Sequence, residues 1–512
     1  MRYKIILTPK MAEELRNHIL KDRSQEQMAI TLCGINHLKD EIRLLGRHLI
    51  LLPPEAFLKQ SSAYLEILPQ VQRHVLKMAA SEGLSQIDWH SHPGESPNIS
   101  FSGIDDHHEK RLSQYLNKKI PGTFYGSVVM NQSAIDARVW EANHDKIQSM
   151  PVDSIRWGGL NDDKPCSAKK RGSINKPESI DERFSRQVRA FGIGLQERLR
   201  RCRIGIIGVG GIGGIIIEML ARLGADDWVL VDDDIVETSN LNRLPGSTIK
   251  DVYHWTLKVS LAQRNIARAN PYARVRAFPC SVSNPKTLQA LKSCDLLVVS
   301  TDNHSSRLIT NRISIQYLIP LIHVGVNIDV DGEQKIIDIS GEYVLPSLGD
   351  WCLQCAGIID TQLAGWEFAD EELRKTLKER GYVKDTPAPA VYHLNGVIAC
   401  LASAEIHNLI FPYKPIRRYL TYDELKGELL SLDVQPKNNC PVCSVEGGFL
   451  GLGDLEPLPD YEGKEKVFPL PDQFETEEPE EKDIELSPET LSEDLHLPIA
   501  MSKEFGHDLE DV

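Results

Sequence analysis

Apolar positions recur with two different periods over the first 145 residues. Short runs of strand character (RYKIIL, MAITLCG, EIRLLGRHLILLP, TFYGSVVM) alternate with stretches whose apolar residues fall three and four apart (MAEELRNHIL, YLEILPQVQRHVLKMAA). The first pattern predicts strands and the second amphipathic helices, so residues 1–145 read as a compact α/β domain. Between 146 and 178 the pattern dissolves into SMPVDS and NDDKPCSAKKRGSINKPES, a polar, Pro/Gly/Ser-rich linker. Alternation resumes with RIGIIGVGGIGG and continues through VLVDDD, DLLVVSTD and PLIHVGV. Residues 179–452 therefore read as a second α/β domain, a doubly wound parallel sheet of Rossmann type.

Charge changes the picture only once it is located. The chain of 512 residues carries a net −15, yet 20 acidic and only 4 basic residues lie between Asp454 and Val512. Residues 453–512 are thus an acidic, Pro- and Glu-rich tail expected to be disordered, and the remainder is close to neutral. Nothing in the near-neutral part suggests a nucleic-acid surface. No apolar run reaches the ~18–20 residues that a membrane span requires. The N-terminus, MRYKIILTPKMAEEL, turns charged at once and reads as a first strand and helix instead of a secretory signal. Ten cysteines, four of them in two CxxC pairs, point to metal binding in a reducing compartment, and the expected location is cytoplasmic.

The run RCRIGIIGVGGIGGIIIEMLARLGADDWVLVDDD predicts a strand, a glycine turn, a helix and a second strand. Gly208, Gly210 and Gly213 form G-x-G-x-x-G, with Gly211 between them, which lets backbone approach a phosphate at a helix N-terminus. Asp232 ends the second strand, where a carboxylate can accept from a ribose diol. That alone would suggest a dinucleotide. The residues that follow favour a triphosphate with Mg²⁺: Asp234, then Ser239–Arg243 (SNLNR), then Lys258, and later Asp302 and Asn303 in STDN, followed by Arg307.

With RFSRQ (Arg183, Arg186) upstream and two CxxC pairs downstream, this ordered set resembles the ThiF / ubiquitin-activating family. Its members adenylate the C-termini of ubiquitin-like proteins and sulfur carriers. The resemblance implies that Gly211 and its neighbours pass the phosphates and Asp232 holds the ribose. It further implies that Asn242, Arg243 and Lys258 contact the triphosphate and that Asp302 binds Mg²⁺. Asp234, Ser239 and Asn303 complete the expected ATP site. Arg186 matches the arginine that, in dimers of the family, reaches the partner's ATP site, which implies a homodimer through this domain. Cations and Mg²⁺ suit attack on an α-phosphorus, where negative charge accumulates. Leu244 stands where the family usually has Gln, and a slightly long spacing leaves Lys250 as a rival to Lys258.

Cys352/Cys355 and Cys440/Cys443 are two thiolate pairs whose gaps let both sulfurs face one tetrahedral ion. Four thiolates leave no open position, so this zinc is expected to be structural. The family's thioester-forming members carry a cysteine between these pairs, but near the corresponding Thr386-Pro387 there is none. Cys400, the only cysteine in that interval, falls in the apolar run NGVIACLASAEIHNLI and is expected to be buried and inert. Adenylation without an internal cysteine relay follows.

A second candidate centre lies in IDWHSHPGESPNISFSGIDDHHEK. His90, His92 and Asp105 form a zinc set that leaves a fourth position for water, and a separate carboxylate, Glu26, is placed to take a proton from that water. The order Glu…HSHP…SxxD resembles the JAMM/MPN metalloproteases, which cleave peptide or isopeptide bonds at ubiquitin-like C-termini. In that resemblance Ser102 stabilises the oxyanion. Glu14 is an alternative base, and His107 and His108 are expected to be exposed.

Both halves then point to one substrate class: a bifunctional enzyme that trims and adenylates the C-terminus of a ubiquitin-like or sulfur-carrier protein. It would use ATP, Mg²⁺ and two zinc ions, one catalytic and one structural. Adenylation of a peptide or small carboxylate is the first rival. A non-catalytic scaffold for ubiquitin-like proteins is the second, and nucleotide-dependent redox chemistry is the most distant.

Overall fold

A computed structural model describes residues 1–143, 146–160, 163–166, 181–333, 335–369 and 389–459. The expected acidic tail beyond 459, the Thr386-Pro387 position and most of the centre of the expected linker lie outside the described residues.

Eleven strands precede residue 166: β1 (Arg2–Leu7), β2 (Met28–His37), β3 (Glu41–Leu51), β4 (Phe57–Gln60), β5 (Leu65–Ile67), β6 (Ser85–Ser91), β7 (Tyr125–Met130), β8 (Ile135–Asn143), β9 (Lys146–Pro151), β10 (Ser154–Trp157) and β11 (Asp163–Pro165). Nine of them form one mixed sheet in the order β11-β10-β1-β3-β2-β6-β7-β8-β9, and β4 pairs with β5 alone. Helix α1 (Pro9–Ile19) packs Met11, Ala12, Leu15 and Ile19 inward, a stripe set by helical periodicity. Thr8 caps it and Pro9 opens it, where a missing N–H costs nothing. Helices α2 (Pro69–Glu82) and α3 (Gly103–Lys119) complete this half.

Two expectations need correction here. The stretch YLEILPQVQRHVLKMAA is not one helix. Leu65–Ile67 pairs as β5, and the helix begins at Pro69, because proline cannot sit inside a helix without losing a backbone bond. The expected linker from 146 is also strand, with β9, β10 and β11 all joining the first sheet. β10 pairs in parallel with β1 and buries Ile155 and Arg156. Its burial of a charged residue, paired with Asp295 at 3.1 Å, is what hid it from an apolar pattern.

The second sheet runs β14-β13-β12-β15-β16-β17-β18-β19. Its members are β12 (Arg203–Ile207), β13 (Asp227–Val231), β14 (Arg274–Phe278), β15 (Leu296–Val299), β16 (Leu321–Val330), β17 (Ile336–Val344), β18 (Tyr419–Asp423) and β19 (Glu428–Ser431). The first five in spatial order are parallel and the last three antiparallel. Helices α4 (Ser185–Phe191), α5 (Ile193–Arg201), α6 (Gly211–Leu223), α7 (Ile249–Tyr253), α8 (Lys258–Ala269), α9 (Pro285–Leu291), α10 (His304–Tyr317), α11 (Thr361–Phe368) and α12 (Tyr392–Ile410) accompany it. β12 and β15 are buried almost throughout, as parallel strands covered on both faces must be.

Both halves belong to one compact unit. Arg43 of β3 donates to the carbonyls of Cys294 (3.0 Å) and Ser293 (3.3 Å), and Arg47 to those of Leu450 (2.7 Å) and Val445 (2.6 Å). A Cβ on Gly34 would lie 2.1 Å from the Gly451 carbonyl oxygen, so backbone meets backbone there. Residue 453, the expected start of the tail, is packed on the first half: Gly453 bridges to Ile35, and Asp454 is an anchor. The Asp454 carboxylate accepts from His37 N (2.7 Å), Lys292 Nζ (2.9 Å) and the Tyr317 hydroxyl (3.0 Å).

Burial alone would raise the Asp454 carboxyl, but the bonds from His37 and Lys292 overcome it and hold the group down at about 2. A depressed carboxyl contributes stability that is complete above its unfolded value of ~3.9 and fades as pH falls toward the folded one. Asp454→Asn is therefore expected to lower the urea midpoint at pH 7 and to lower it much less at pH 2. Equal losses at the two pH values would show that the anchor is not ionic.

Candidate functional site

Three loops leave the carboxyl ends of adjacent strands on one side of the second sheet. The chain passes from β12 through α6 to β13 on one side, whereas β15 lies on the other, so a crevice opens between β12 and β15. Such switch points are where open α/β sheets hold ligands. The glycine loop follows β12, the Asp232–Arg243 segment follows β13, and STDN follows β15.

Each glycine has its own reason. Gly208 has φ +86°, a backbone that side chains avoid. A Cβ on Gly213 would meet the Gly208 carbonyl oxygen at 2.1 Å, and one on Gly211 the Asn395 Nδ2 at 2.4 Å. Gly210 faces open space at the N-terminus of α6, where backbone N–H groups and the helix dipole favour an anion.

Asp232 is tied to the loop: its carboxylate accepts from Val209 N (2.8 Å) and Asp234 N (3.0 Å). Burial pushes this carboxyl up to about 6, against the pull of Lys258 and the two N–H bonds. Lys258, the first residue of α8, pairs with Asp234 at 3.0 Å. Burial lowers its ammonium, but Asp232 and Asp234 win and leave it above its ordinary value. Lys250 lies exposed on α7.

Ser239 and Asn242 are exposed, and Arg243 donates to Asn242 Oδ1 (3.0 Å) and the Ser239 carbonyl. Leu244, where the resembled pattern has Gln, is buried with Val236 and Leu261, which accounts for the departure by packing. Asp302 is exposed, Asn303 caps α10 through Ser306 N (2.9 Å), and Arg307 donates to the Thr301 carbonyl (3.0 Å). The oxygens of Asp232, Asp233 and Asp234 gather within 4.8 Å of one another, and Asp302 is not in that group. Arg186 is exposed on α4, free to project from the surface, while Arg183 pairs with Asp181.

Two polar atoms beside the loop carry no partner among the described residues: Asn395 Oδ1 and Thr301 Oγ1, both buried. Open space at Gly210 and the unpartnered Thr301 hydroxyl, which can donate, fit a phosphate-bearing ligand, whereas Asn395 Oδ1 can only accept and calls for a donor. Asn395 was missed from the sequence. Its signal was a polar residue on the buried stripe of an apolar helix, in line with Leu394, Ile398 and Ala402.

The four cysteines converge as expected. Cys352, Cys355, Cys440 and Cys443 are buried, with Sγ atoms within 4.8 Å of one another; Cys352–Cys440 is 3.8 Å and Cys355–Cys443 is 3.6 Å. Sulfurs about 2.3 Å from a tetrahedral zinc would stand roughly 3.8 Å apart, so the donor set and spacing fit a structural zinc. Because metal affinity is part of folding energy, Cys440→Ser is expected to lower zinc content and thermal midpoint together. A variant with wild-type midpoint and zinc content would show that the four-cysteine cluster is not what holds the metal.

Cys400 corrects an expectation. It is exposed, not buried. Helix α12 buries Leu394, Asn395, Ile398, Ala399 and Ala402, and Cys400 lies on the opposite stripe with His393 and Ala404. It is five residues past Asn395, about 140° around the helix, and so points away from the glycine loop.

In the first half, His90 lies on β6 and is paired in register with Met28 of β2. The strands continue in step past this pair, Ser91 N donating to the Gln27 carbonyl (2.9 Å), which brings Glu26 beside His92. Glu26 Oε1 is 4.0 Å from His92 Nε2, and Glu26 is buried whereas Glu14 is exposed on α1. Ligand atoms of His90, His92 and Asp105 lie within 4.8 Å of one another. Ser102 and Asp105 form the capping box of α3: Asp105 accepts from Ser102 N (2.7 Å), and Ser102 Oγ accepts from Asp105 N (3.2 Å). His107 and His108 are exposed, as expected.

Burial, with the Asp105 charge, pushes Glu26 up to about 7. Burial also lowers both imidazoles, His90 to about 4, so they are neutral and able to ligate. His90 Nε2 is buried with no partner among the described residues, an orphan that a zinc ion would satisfy.

A crevice of this kind, with its glycine loop, its charged strand ends and a closed thiolate site, is that of a nucleotide-binding α/β domain. The ThiF family model matches residues 184–442, half of the chain, and the chain belongs to the ThiF family. The chain is 28% identical to a sulfur carrier protein adenylyltransferase of Thermus thermophilus, over 54% of this chain and 96% of that protein. It is 26% identical to a SAMP-activating enzyme E1 of Haloferax volcanii, over 54% of this chain and 93% of that one. Among solved structures, E. coli MccB with ATP aligns at 21% identity and a TM-score of 0.42, over 52% of this chain and 76% of that one. Residues 1–183 lie outside the family match. No described helix is long and apolar enough to cross a membrane.

Proposed function

We propose that residues 181–459 adenylate the C-terminal carboxylate of a sulfur-carrier or ubiquitin-like protein, with ATP and Mg²⁺. The observation that carries this reading is the meeting of three loops at the β12/β15 switch point, in a chain of the ThiF family similar to a sulfur carrier protein adenylyltransferase and a SAMP-activating enzyme E1. The glycine loop and the N-terminus of α6 receive the phosphates. Asp232, fixed by Val209 N, faces the ribose, and Lys258, Asn242 and Arg243 meet the triphosphate. Asp302 would hold a Mg²⁺ ion, which would supply positive charge at the α-phosphorus. Arg186 reaches a second copy's site in a homodimer.

The first half is read as a JAMM-type hydrolase acting on the same C-terminus. His90, His92 and Asp105 would hold a zinc ion, which supplies an acidified water and a polarised carbonyl. Glu26, buried beside His92, takes the proton from that water and returns it to the leaving amine. Ser102, at the start of α3, faces the developing oxyanion. Hydrolysis would then supply the free carboxylate that adenylation consumes.

ATP–pyrophosphate exchange tests the first reading. A sulfur carrier or ubiquitin-like protein is expected to stimulate exchange strongly, and short peptides or small carboxylates only weakly. The reverse ranking would favour peptide adenylation, and no exchange with ATP bound would favour a scaffold.

The reading includes no internal thioester. Cys400 is exposed, so its protection is one of direction and not of burial. Cys400→Ala is expected to leave both exchange and transfer of the acyl group to an added thiol or amine unchanged. Loss of transfer, together with loss of a reductant-sensitive adduct, would make Cys400 the nucleophile.

A further inference from the structure

We propose that Arg138 is the positioning residue of the N-terminal metal site, holding the helix that carries Asp105 and the ring that backs His90 in one register. This rests on the hydrolytic reading above and deepens it.

Helix α3 presents the first turn on which Ser102 and Asp105 sit, and its apolar seat, Leu112 and Leu116, lies further along the helix. Its buried residues are Glu109, Ser113 and Leu116, so the end nearest the site is held by a carboxylate. Three donors converge on one oxygen of Glu109: Arg138 Nε (2.8 Å), Ser127 Oγ (2.7 Å) and Trp140 Nε1 (2.8 Å). Arg138 also pairs through Nη1 with Asp106, the residue after Asp105. Its guanidinium lies 3.9 Å from the centre of the Phe101 ring, and that ring meets His90 edge-on at 6.2 Å. One side chain on β8 thus touches the helix bearing Asp105 at two points and the ring packed on His90.

Stability alone does not call for this arrangement. A buried ion pair is commonly replaceable by apolar residues at no cost in stability. What the planar guanidinium fork supplies is geometry: it fixes direction at two acceptors at once, which a lysine or an apolar contact does not. A metal site needs its ligands held to within about 0.5 Å.

The test uses the full chain, zinc and cobalt as probes, and two variants. Arg138→Met is expected to weaken metal binding at the His90/His92/Asp105 site by about 10- to 100-fold and to alter its cobalt spectrum. The hydrolytic kcat should fall with KM unchanged, while the four-cysteine zinc and ATP–pyrophosphate exchange stay at wild-type levels. Arg138→Lys, which keeps charge but not the fork, should recover only part. Should Arg138→Met fail to fold, Asp106→Asn removes only the outer end of the clamp and is expected to weaken the same site by several-fold. Wild-type metal affinity, spectrum and kcat in either folded variant overturns the assignment of Arg138 alone. A wild-type protein that binds zinc only at the cysteines overturns it together with the hydrolytic reading.

Discussion

Asp302→Ala is expected to reduce ATP–pyrophosphate exchange by roughly 10²- to 10³-fold, the scale of losing one preorganised stabiliser of transition-state charge. Asp302 is exposed three residues past the end of β15, next to Thr301, which meets the glycine loop, and contributes nothing to the buried core. The fold should therefore survive, and the thermal midpoint should stay within the small range typical of surface substitutions. ATP–pyrophosphate exchange and a melting curve on the same preparation check this. Exchange at the wild-type rate in a folded variant would remove Asp302 from the site and open the question of the neighbouring aspartates 232–234, whose oxygens lie together.

The second large effect belongs to the other half. Glu26→Ala is expected to lower hydrolysis at a ubiquitin-like C-terminus by roughly 10²- to 10⁴-fold, the range for a general base, with zinc still bound. His92→Ala should lose hydrolysis and that zinc together, because it removes a ligand. The split between the two variants is the informative part. Glu26 lies 4.0 Å from His92 but is not in the cluster of ligand atoms. Normal cleavage by Glu26→Ala would place the base elsewhere, and loss of zinc from it would make Glu26 a ligand. Metal analysis beside a cleavage assay separates these outcomes.

Much of the fold was legible because its strands are short, apolar and bounded by turns. β12, β13 and β15 could be read from RIGII, WVLV and LLVV, and the three loops at their ends carried the chemistry in order. The cysteine site was legible from spacing alone, since a two-residue gap is what a tetrahedral ion asks of each pair. Two of the elements that were harder to read have their partners far away in sequence. β10 is held by Asp295, 139 residues distant from Arg156. Asp454 looks like the start of an acidic tail until His37 and Lys292 surround it. Cys400 sits in an apolar run, but α12 turns that residue outward, which composition does not reveal. Asn395 gave only one faint sign, a polar side chain on an inward stripe, and its contact with Gly211 is purely tertiary. Glu26 lies beside His92 because register carries it there: Met28 opposes His90 and the strands run on in step.

The central claim is that the ThiF half joins AMP to a protein C-terminus. Its most direct test is intact-mass analysis of a sulfur-carrier or ubiquitin-like acceptor after incubation with the full chain, ATP and Mg²⁺, beside the same acceptor with an amidated C-terminus. The expected result is an AMP adduct on the free carboxylate, released by hydroxylamine, and none on the amidated form. No adduct on any such acceptor, or equal adducts on both forms, would contradict the account.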